Sequence, residues 1–203
     1  MFLLHLLKDL MLLGFQLNFY LSNPQNKLDH LSSPLPLIFY LTFFLNYDPP
    51  NKYEKLFKKA IKYGFITVAH AGEEGSPEYM WEALNLLNVK RIDHGVQCLK
   101  DEKLIEKLSK NQIPLTVCPL SNIKLRVFNK LEEHNLKKML DKKLMVMVNS
   151  DDPAYFGGYL NKNLIETQAA LNLSKNEVKT LLVNSFKSSF LNEEQKKEWI
   201  SKI

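Results

Sequence analysis

Short apolar runs alternate with amphipathic segments between residues 51 and 173. The apolar runs are five or six residues long and rich in aliphatic and β-branched side chains, which is typical of strands. The segments between them place apolar residues at helical spacing, and the first ends at Gly64, a common residue at helix C-termini. In chain order, the predicted strands are FITVA, VKRID, IPLTVC and LMVMVN, and the predicted helices are KYEKLFKKAIKYG, PEYMWEALNLL, DEKLIEKLSKN and LKKMLDKK.

Three of these strands, FITVA, IPLTVC and LMVMVN, are nearly continuous apolar runs rather than alternating ones, which indicates a parallel sheet whose outer face is covered by helices. Three more helical segments follow the last predicted strand: NKNLIETQAALNL, SKNEVKTLLVNSF and NEEQKKEWISKI. The pattern therefore predicts an α/β fold over residues 51–203, with four βα units and additional C-terminal helices.

Residues 1–50 do not follow this pattern. They contain two apolar stretches without a clear period, separated by a polar, loop-like segment. Lys8 and Asp9 interrupt the first stretch, and the second is shorter than the ~20 apolar residues that cross a bilayer. We expect this N-terminal segment to form buried strands or helices, with a membrane anchor as the alternative.

The composition bounds the class of protein. The 203 residues are 45% hydrophobic, which is enough for one compact domain with a core. The net charge of +5 comes almost entirely from lysines interleaved with acidic residues, and Arg91 and Arg126 are the only arginines. Because nucleic-acid readers favour the planar fork of arginine, we expect no nucleic-acid partner. Cys98 and Cys118 form neither a disulfide framework nor a CxxC zinc motif, which suits a reducing, cytoplasmic location.

Polar side chains with ligand or acid–base capacity follow the predicted strands. His70 and Glu73 follow the first strand, His94 follows the second, and Asp151 and Asp152 follow the fourth. The C-terminal ends of parallel strands share one face, where active sites form. A single histidine there is more often structural, and two aspartates before a proline are also typical of a turn and a helix N-cap. Their coincidence at several strand ends nevertheless indicates a site.

The residue types favour metal-assisted hydrolysis. His70 can supply a nitrogen and Asp151 an oxygen to a divalent metal, with zinc the expected ion. Zinc lowers the pKa of a bound water to roughly 7. Glu73 could then shuttle a proton to the substrate, and His94 could orient the attacking hydroxide. Asp152 could accept a hydrogen bond from the substrate.

Four segments resemble, in order and spacing, the adenosine/adenine deaminase family, and most closely its adenine deaminase branch. They are HAGEEGSPEYMWEAL, RIDHGVQCL, IPLTVCPLSNIKLRVF and VNSDDPAYFGGY, and the resemblance covers roughly residues 48–173. It implies a zinc-dependent (β/α)8 TIM barrel of the amidohydrolase kind. The implied reaction converts adenine into hypoxanthine and ammonia.

The resemblance also implies roles for individual residues. His70 and Asp151 would be zinc ligands, and Glu73 would donate a proton to N1 of the purine. His94 would position the attacking hydroxide at C6, and Asp152 would be a hydrogen-bond partner of the base. Three further residues would shape the pocket or its turns: Glu74, Ser121 and Asn122.

The N-terminal region departs from the family pattern. The first strand of the family carries a His-x-His pair of zinc ligands, whereas this chain has FLLHLLKDL, in which His5 stands alone. At 203 residues the chain is also shorter than the ~250 of a full barrel, and it corresponds to the second half. We therefore expect a partial barrel over residues 51–203 behind an N-terminal segment of residues 1–50, with His5 as a candidate third ligand.

Several interpretations of function stay open. The first is a zinc-dependent adenine deaminase of purine salvage, with adenosine as the alternative substrate and with activity impaired by truncation. The second is a catalytically inactive deaminase fragment that acts in interaction or assembly. The expected partners are a small purine substrate and a second copy of the chain, with neither nucleic acid nor membrane.

Overall fold

The computed structural model describes residues 38–41, as backbone only, and residues 50–203. Within these ranges, five strands form one sheet in which every neighbouring pair is parallel. They lie side by side in chain order: β1 (Ile38–Leu41), β2 (Ile66–Ala71), β3 (Arg91–His94), β4 (Leu115–Val117) and β5 (Val146–Val148). Parallel strands that follow one another in chain order, with helices between them, are the arrangement of a β/α barrel segment.

Helices follow β2 to β5 and complete the C-terminal region. The α-helices of residues 50–203 are α1 (Glu54–Lys62), α2 (Pro77–Asn85), α3 (Glu102–Asn111), α4 (Pro119–Lys124), α5 (Leu136–Asp141), α6 (Pro153–Phe156), α7 (Leu160–Leu171), α8 (Lys175–Lys187) and α9 (Glu193–Ile200). Short 3-10 turns occupy Pro50–Tyr53, Val96–Lys100 and Leu131–Glu133.

Local sequence determines where the helices near the site begin. Ser76 is extended, with φ −72° and ψ 164°, and Pro77 takes the first position of α2. That position suits proline because its missing N–H would have no intrahelical partner there. Before α3, the carboxylate of Asp101 accepts hydrogen bonds from the backbone N–H groups of Lys103 and Leu104. This cap satisfies two donors that the first turn of a helix leaves unpaired.

One face of the sheet carries the apolar core. Ala69, Ile92, Leu115 and Val146 occupy matching register positions in β2 to β5, and all four are buried. Apolar side chains from the surrounding helices belong to the same core: Phe57, Ala60, Met80, Ala83, Leu104, Leu108, Leu136, Met139 and Leu181. The burial of these apolar side chains is the main source of stability for such a sheet.

The opposite face carries polar residues one register position further along. His70 of β2 aligns with Asp93 of β3, and Asp93 aligns with Thr116 of β4. Successive side chains of a strand point to opposite faces, so this row lies away from the helices that cover the core face. In a closed barrel such a face lines the interior.

The architecture confirms the predicted α/β class and partial barrel, including the four predicted strands and the helices between them. It also contains a strand that the pattern did not assign, because β1 lies in an apolar stretch without a clear period. β1 pairs with β2, from Ile38 opposite Ile66 to Leu41 opposite Ala69. The division at residue 50 into two units stays a prediction.

Two predictions fall outside this description. The proposed N-terminal anchor and His5 both lie in residues 1–37, outside the described residues. Of the helices that the structure does describe, none combines the length and the apolar composition that crossing a bilayer requires.

Candidate active site

The C-terminal ends of β2, β3 and β5 bring four of the predicted site residues together. The ring centroids of His70 and His94 lie 4.9 Å apart. His94 lies close to Glu73, with 3.1 Å between Nδ1 and Oε1, and it faces Asp151, with 3.8 Å between Nε2 and Oδ2. His94 therefore lies at the centre of the cluster.

Two of these residues have left-handed backbone conformations. φ is +66° at His94 and +57° at Asp151. Residues other than glycine rarely adopt this region, and outliers of this kind concentrate at functional sites. Regular strand alternation would send the side chain of His94 to the face opposite Asp93. The backbone thus departs from strand geometry at the two positions where a side chain turns toward the cluster.

A tight turn after β2 places Glu73. Gly72 has φ +68°, and a Cβ there would lie 2.4 Å from Sδ of Met80. Gln97 holds the turn from the other side: its backbone N–H donates to the carbonyl of Gly72, and its Nε2 donates to the carbonyl of Glu73, each over 2.8 Å. Only glycine fits this conformation and this contact together.

Glu73 is a partly buried carboxyl in a negative environment. Burial, followed by the charge of Asp151, raises the pKa of Glu73 from 4.5 to about 8. Asn122 opposes this shift, because its Nδ2 donates a hydrogen bond to Oε1 of Glu73 over 2.6 Å. A carboxyl in this environment retains its proton at neutral pH and can donate it.

His94 is buried and neutral. Burial first, and then the charge of His70, lower the pKa of His94 to about 3, although the nearby charge of Asp93 acts in the opposite direction. A neutral imidazole has one nitrogen that donates and one that accepts. His94 can therefore donate one hydrogen bond and accept another while it stays uncharged at neutral pH.

Asp93 lies behind His70. Its Oδ2 is 3.6 Å from Nδ1 of His70, while its Oδ1 accepts hydrogen bonds from Nε of Arg91 at 3.1 Å and Oγ1 of Thr116 at 2.7 Å. Burial alone would raise the pKa of Asp93, but the charges of His70 and Arg91, with the Thr116 bond, hold it below its usual value. A carboxylate facing Nδ1 favours a proton on that nitrogen, which leaves Nε2 of His70 for a metal.

Both oxygens of Asp151 are held in place. Ser121 donates from Oγ to Oδ2 over 2.7 Å, and the backbone N–H of Asp152 donates to Oδ1 over 2.9 Å. His94, Cys118 and Asp151 each offer a ligand atom, and these atoms lie within 4.8 Å of one another. Burial, and then the charge of Asp151, raise the pKa of Cys118 well above its usual value, so its sulfur is a thiol at neutral pH.

The donor set fits a divalent metal. Imidazole nitrogen and carboxylate oxygen are the ligands that zinc takes in catalytic sites, usually three per ion. His94, Cys118 and Asp151 offer ligand atoms close to one another, and His70 adds a further imidazole whose ring lies 4.9 Å from that of His94. The sequence spacing gave no sign of Cys118, because its neighbours in the site come from other strands. Cys98 and Cys118 are both free, as expected from the sequence.

Asp152 lies at the edge of this cluster. Its side chain is exposed, and Oδ1 accepts hydrogen bonds from the backbone N–H groups of Ala154 and Tyr155 at 3.0 and 3.2 Å. Asp152 therefore caps α6, which is the turn and N-cap that the sequence also allowed. Both bonds use Oδ1, and the contact of Asp152 with substrate stays a prediction.

Sequence reasoning gave too little weight to one polar residue and missed another. Asn122 is fully buried and contacts both Glu73 and His94, whereas the sequence gave it only a role in shaping the pocket. His134 lies against Asn122, with 3.1 Å between Nε2 and Oδ1. The sequence contained no signal for His134, since it is a lone histidine in a charged stretch.

Comparison with known proteins gives concordant results. The adenosine deaminase family model matches residues 47–203, and so extends past residue 173 through the C-terminal helices. An adenine deaminase from Chlorobium phaeobacteroides is 59% identical over 156 residues, which are 77% of this chain and 47% of that protein. One from Crocosphaera subtropica is 58% identical over 151 residues, 74% of this chain and 46% of that protein. The chain thus spans about half the length of the curated relatives it matches.

Solved structures agree with this result. An adenine deaminase from Arthrobacter aurescens matches with a TM-score of 0.82 and 39% identity, over 98% of this chain and 55% of that one. An amidohydrolase from Burkhoderia ambifaria, solved with bound zinc, matches with a TM-score of 0.74 and 26% identity, over 80% of this chain and 46% of that one. These matches confirm the resemblance that the motifs indicated. The chain belongs to the adenosine deaminase family.

Proposed function

We propose that this chain carries the catalytic face of a metal-dependent adenine deaminase, which converts adenine and water into hypoxanthine and ammonia. The observation that carries the proposal is the meeting of His70, Glu73, His94 and Asp151 at the C-terminal ends of parallel strands. Relatives named adenine deaminase support the choice of substrate.

His70 and Asp151 are the proposed metal ligands, with zinc as the ion. The carboxylate of Asp93 behind His70, and the hydroxyl of Ser121 on Asp151, would hold both ligands in orientation. A metal bound here would polarise a water molecule for attack on the purine. The zinc bound to the related amidohydrolase supports this choice, and His5 stays a candidate for a further ligand.

Glu73 is the proposed proton donor. Its contacts with Asn122 and His94 both use Oε1, so Oε2 is the oxygen that can face a substrate. A carboxylic acid held in this way can protonate a ring nitrogen of the purine as the water attacks. Asn122 then stabilises the carboxylate that remains.

His94 is proposed to orient the attacking water. It is neutral and buried, and it lies between Glu73 and Asp151, so a water at this position would meet an imidazole nitrogen beside the ligand carboxylate. Asp152 is proposed to accept a hydrogen bond from the base through Oδ2, because its capping bonds use Oδ1. We further propose a role in purine salvage and a cytoplasmic location.

The test compares Glu73 with Glu106, an exposed glutamate of α3. We expect the purified chain to bind zinc by elemental analysis and to release ammonia from adenine faster than from adenosine. Glu73→Gln should lower kcat by roughly a hundredfold or more, since it removes a general acid. Glu106→Gln makes the same chemical change at an exposed position of α3 and should leave kcat within about twofold.

Three results would count against the proposal. Faster turnover of adenosine would make adenosine the substrate. Equal losses in Glu73→Gln and Glu106→Gln would remove the assigned role of Glu73. A folded protein that binds zinc but releases no ammonia from either purine would favour the second interpretation, an inactive deaminase fragment.

A further inference from the structure

A buried hydrogen-bond chain runs from the backbone of Leu136 to Glu73 through His134 and Asn122. His134 is 4% exposed and Asn122 is 0% exposed. This hydrogen-bond chain has three links. The backbone nitrogen of Leu136 lies 3.1 Å from Nδ1 of His134, and Nε2 of His134 lies 3.1 Å from Oδ1 of Asn122. In the third link, Nδ2 of Asn122 lies 2.6 Å from Oε1 of Glu73. The proposed reaction assigns no role to His134.

The direction of every link follows from the first. A backbone N–H can only donate, so Nδ1 of His134 accepts and carries no proton. In a neutral imidazole the proton then lies on Nε2, which donates to Oδ1 of Asn122. The amide nitrogen of Asn122 therefore faces Glu73. The orientation of an amide is normally ambiguous from its shape, but here a backbone group determines it.

The surroundings keep His134 in this state. Burial lowers the pKa of His134 to about 4, and the ring packs against Phe128 with 4.5 Å between centroids. The imidazole therefore stays neutral at neutral pH, with one nitrogen donating and the other accepting.

The amide of Asn122 faces both acid–base groups of the site. Its Nδ2 donates to Glu73 and lies 3.4 Å from Nδ1 of His94. With the amide reversed, Oδ1 would face Oε1 of Glu73, and Glu73 would need its own proton on Oε1 to make the hydrogen bond. The side chain that prevents this reversal is His134.

We propose that His134 is a positioning residue: by fixing the amide of Asn122, it keeps Oε1 of Glu73 as a hydrogen-bond acceptor and places the transferable proton on Oε2. The catalytic part of this inference rests on the proposed deamination, whereas the hydrogen-bond chain does not. In the step itself, the O–H bond at Oε2 breaks and an N–H bond forms on the purine. The electron pair stays on the carboxylate, where the N–H of Asn122 stabilises the new charge.

Two amide variants of His134 separate positioning from packing. In His134→Gln, the amide nitrogen can take the place of Nε2 and still donate to Asn122. In His134→Asn, the shorter side chain can accept from Leu136 but does not reach Asn122. We expect His134→Asn to lower kcat for adenine by roughly tenfold to a hundredfold with KM within about twofold, and His134→Gln to retain most of kcat. Equal kcat values in folded samples of both variants would overturn the positioning role.

A second measurement does not require turnover. Nitrogen-15 NMR of the full chain should show His134 protonated at Nε2 only, and the carboxyl carbon-13 shift of Glu73 should change in His134→Asn but not in His134→Gln. A proton on Nδ1 of His134 would overturn the hydrogen-bond chain, whatever the activity. An unchanged Glu73 signal in both variants would overturn the proposed influence of His134 on the Glu73 carboxyl group. If the wild-type chain is inactive but these signals are as expected, the proposed function fails while the chain of contacts stands.

Discussion

At the scale of single residues, the site uses backbone conformations that ordinary strand ends do not have. His94 and Asp151 both have positive φ, and both point toward the same cluster. For residues other than glycine this region costs roughly 1–2 kcal/mol, and Asp and Asn tolerate it better than most. The surrounding contacts, such as that of Ser121 with Asp151, must offset this cost.

Asp151 offers a direct test of this cost. Asp151→Gly and Asp151→Ala both remove the carboxylate of a proposed metal ligand, so neither variant should bind the proposed metal. Glycine adopts positive φ freely, whereas alanine does not, so Asp151→Gly should be the more stable of the two by about 1 kcal/mol. Denaturant unfolding of the metal-free proteins measures the difference. A more stable Asp151→Ala would show that the left-handed conformation is not retained.

At the scale of elements, the turn between β2 and α2 connects the apolar core to Glu73, the proposed proton donor. Gly72 packs against Met80, which is fully buried, and the next residue is Glu73. Any displacement of this turn would therefore move the proposed proton donor relative to His94.

Gly72→Ala should be more destabilising than Gly64→Ala. Both glycines have positive φ, but a Cβ at residue 64 would meet nothing within 4 Å, whereas one at residue 72 would lie 2.4 Å from Sδ of Met80. The backbone cost is common to both, and overpacking adds about 1–3 kcal/mol at residue 72 alone. Thermal unfolding of the two variants gives this difference, and equal losses would contradict the close contact.

The contacts of Glu177 at the start of α8 should make the stability of the fold depend on pH. Glu177 closes a capping box with Ser174 and pairs with Lys137, and these hydrogen bonds lower the pKa of Glu177 from 4.5 to about 2. A carboxyl whose pKa is lower in the folded state stabilises the fold above its unfolded pKa, and this contribution disappears as the pH falls. The stability difference between wild type and Glu177→Gln should therefore be largest at neutral pH. It should decline as the pH falls from 4.5 toward about 2.

Lys137→Met provides the control for this prediction. It removes the ion pair but leaves the hydrogen bonds of Ser174, so it should weaken the same pH dependence without abolishing it. Denaturant unfolding at a series of pH values measures both variants. If the stability difference between wild type and Glu177→Gln did not change with pH, the contacts of Glu177 would not depend on the ionisation of its carboxyl group.

At the scale of the whole molecule, the strand at each edge of the sheet pairs with only one other strand within the described residues. β1 pairs with β2, and β5 pairs with β4. Strand edges with unpaired backbone groups are sites where another chain can add. We therefore expect concentration-dependent self-association in sedimentation experiments, and a chain that stays monomeric over the whole range would contradict this.

The sequence predicted the elements better than their contacts. The strands β2 to β5 were predictable because apolar runs such as IPLTVC are local signals. β1 was not, since its assignment depends on pairing with β2. Four predicted site residues do meet, because the ends of parallel strands share one face. Asn122 and His134 could not be assigned their roles, because their partners are distant in sequence and only the fold brings them together.

The distribution of the site over three strand ends links ligand binding to folding. No single βα unit contains His70, His94 and Asp151, so a ligand of this site binds only the assembled sheet. At roughly one hundred times its dissociation constant, such a ligand raises the free energy of unfolding by about 2.7 kcal/mol. Under the proposed function, adenine and hypoxanthine are such ligands, and either would raise the melting temperature of the whole sheet. A thermal shift with these purines can therefore test the proposed site independently of turnover, even in a chain whose turnover is slow.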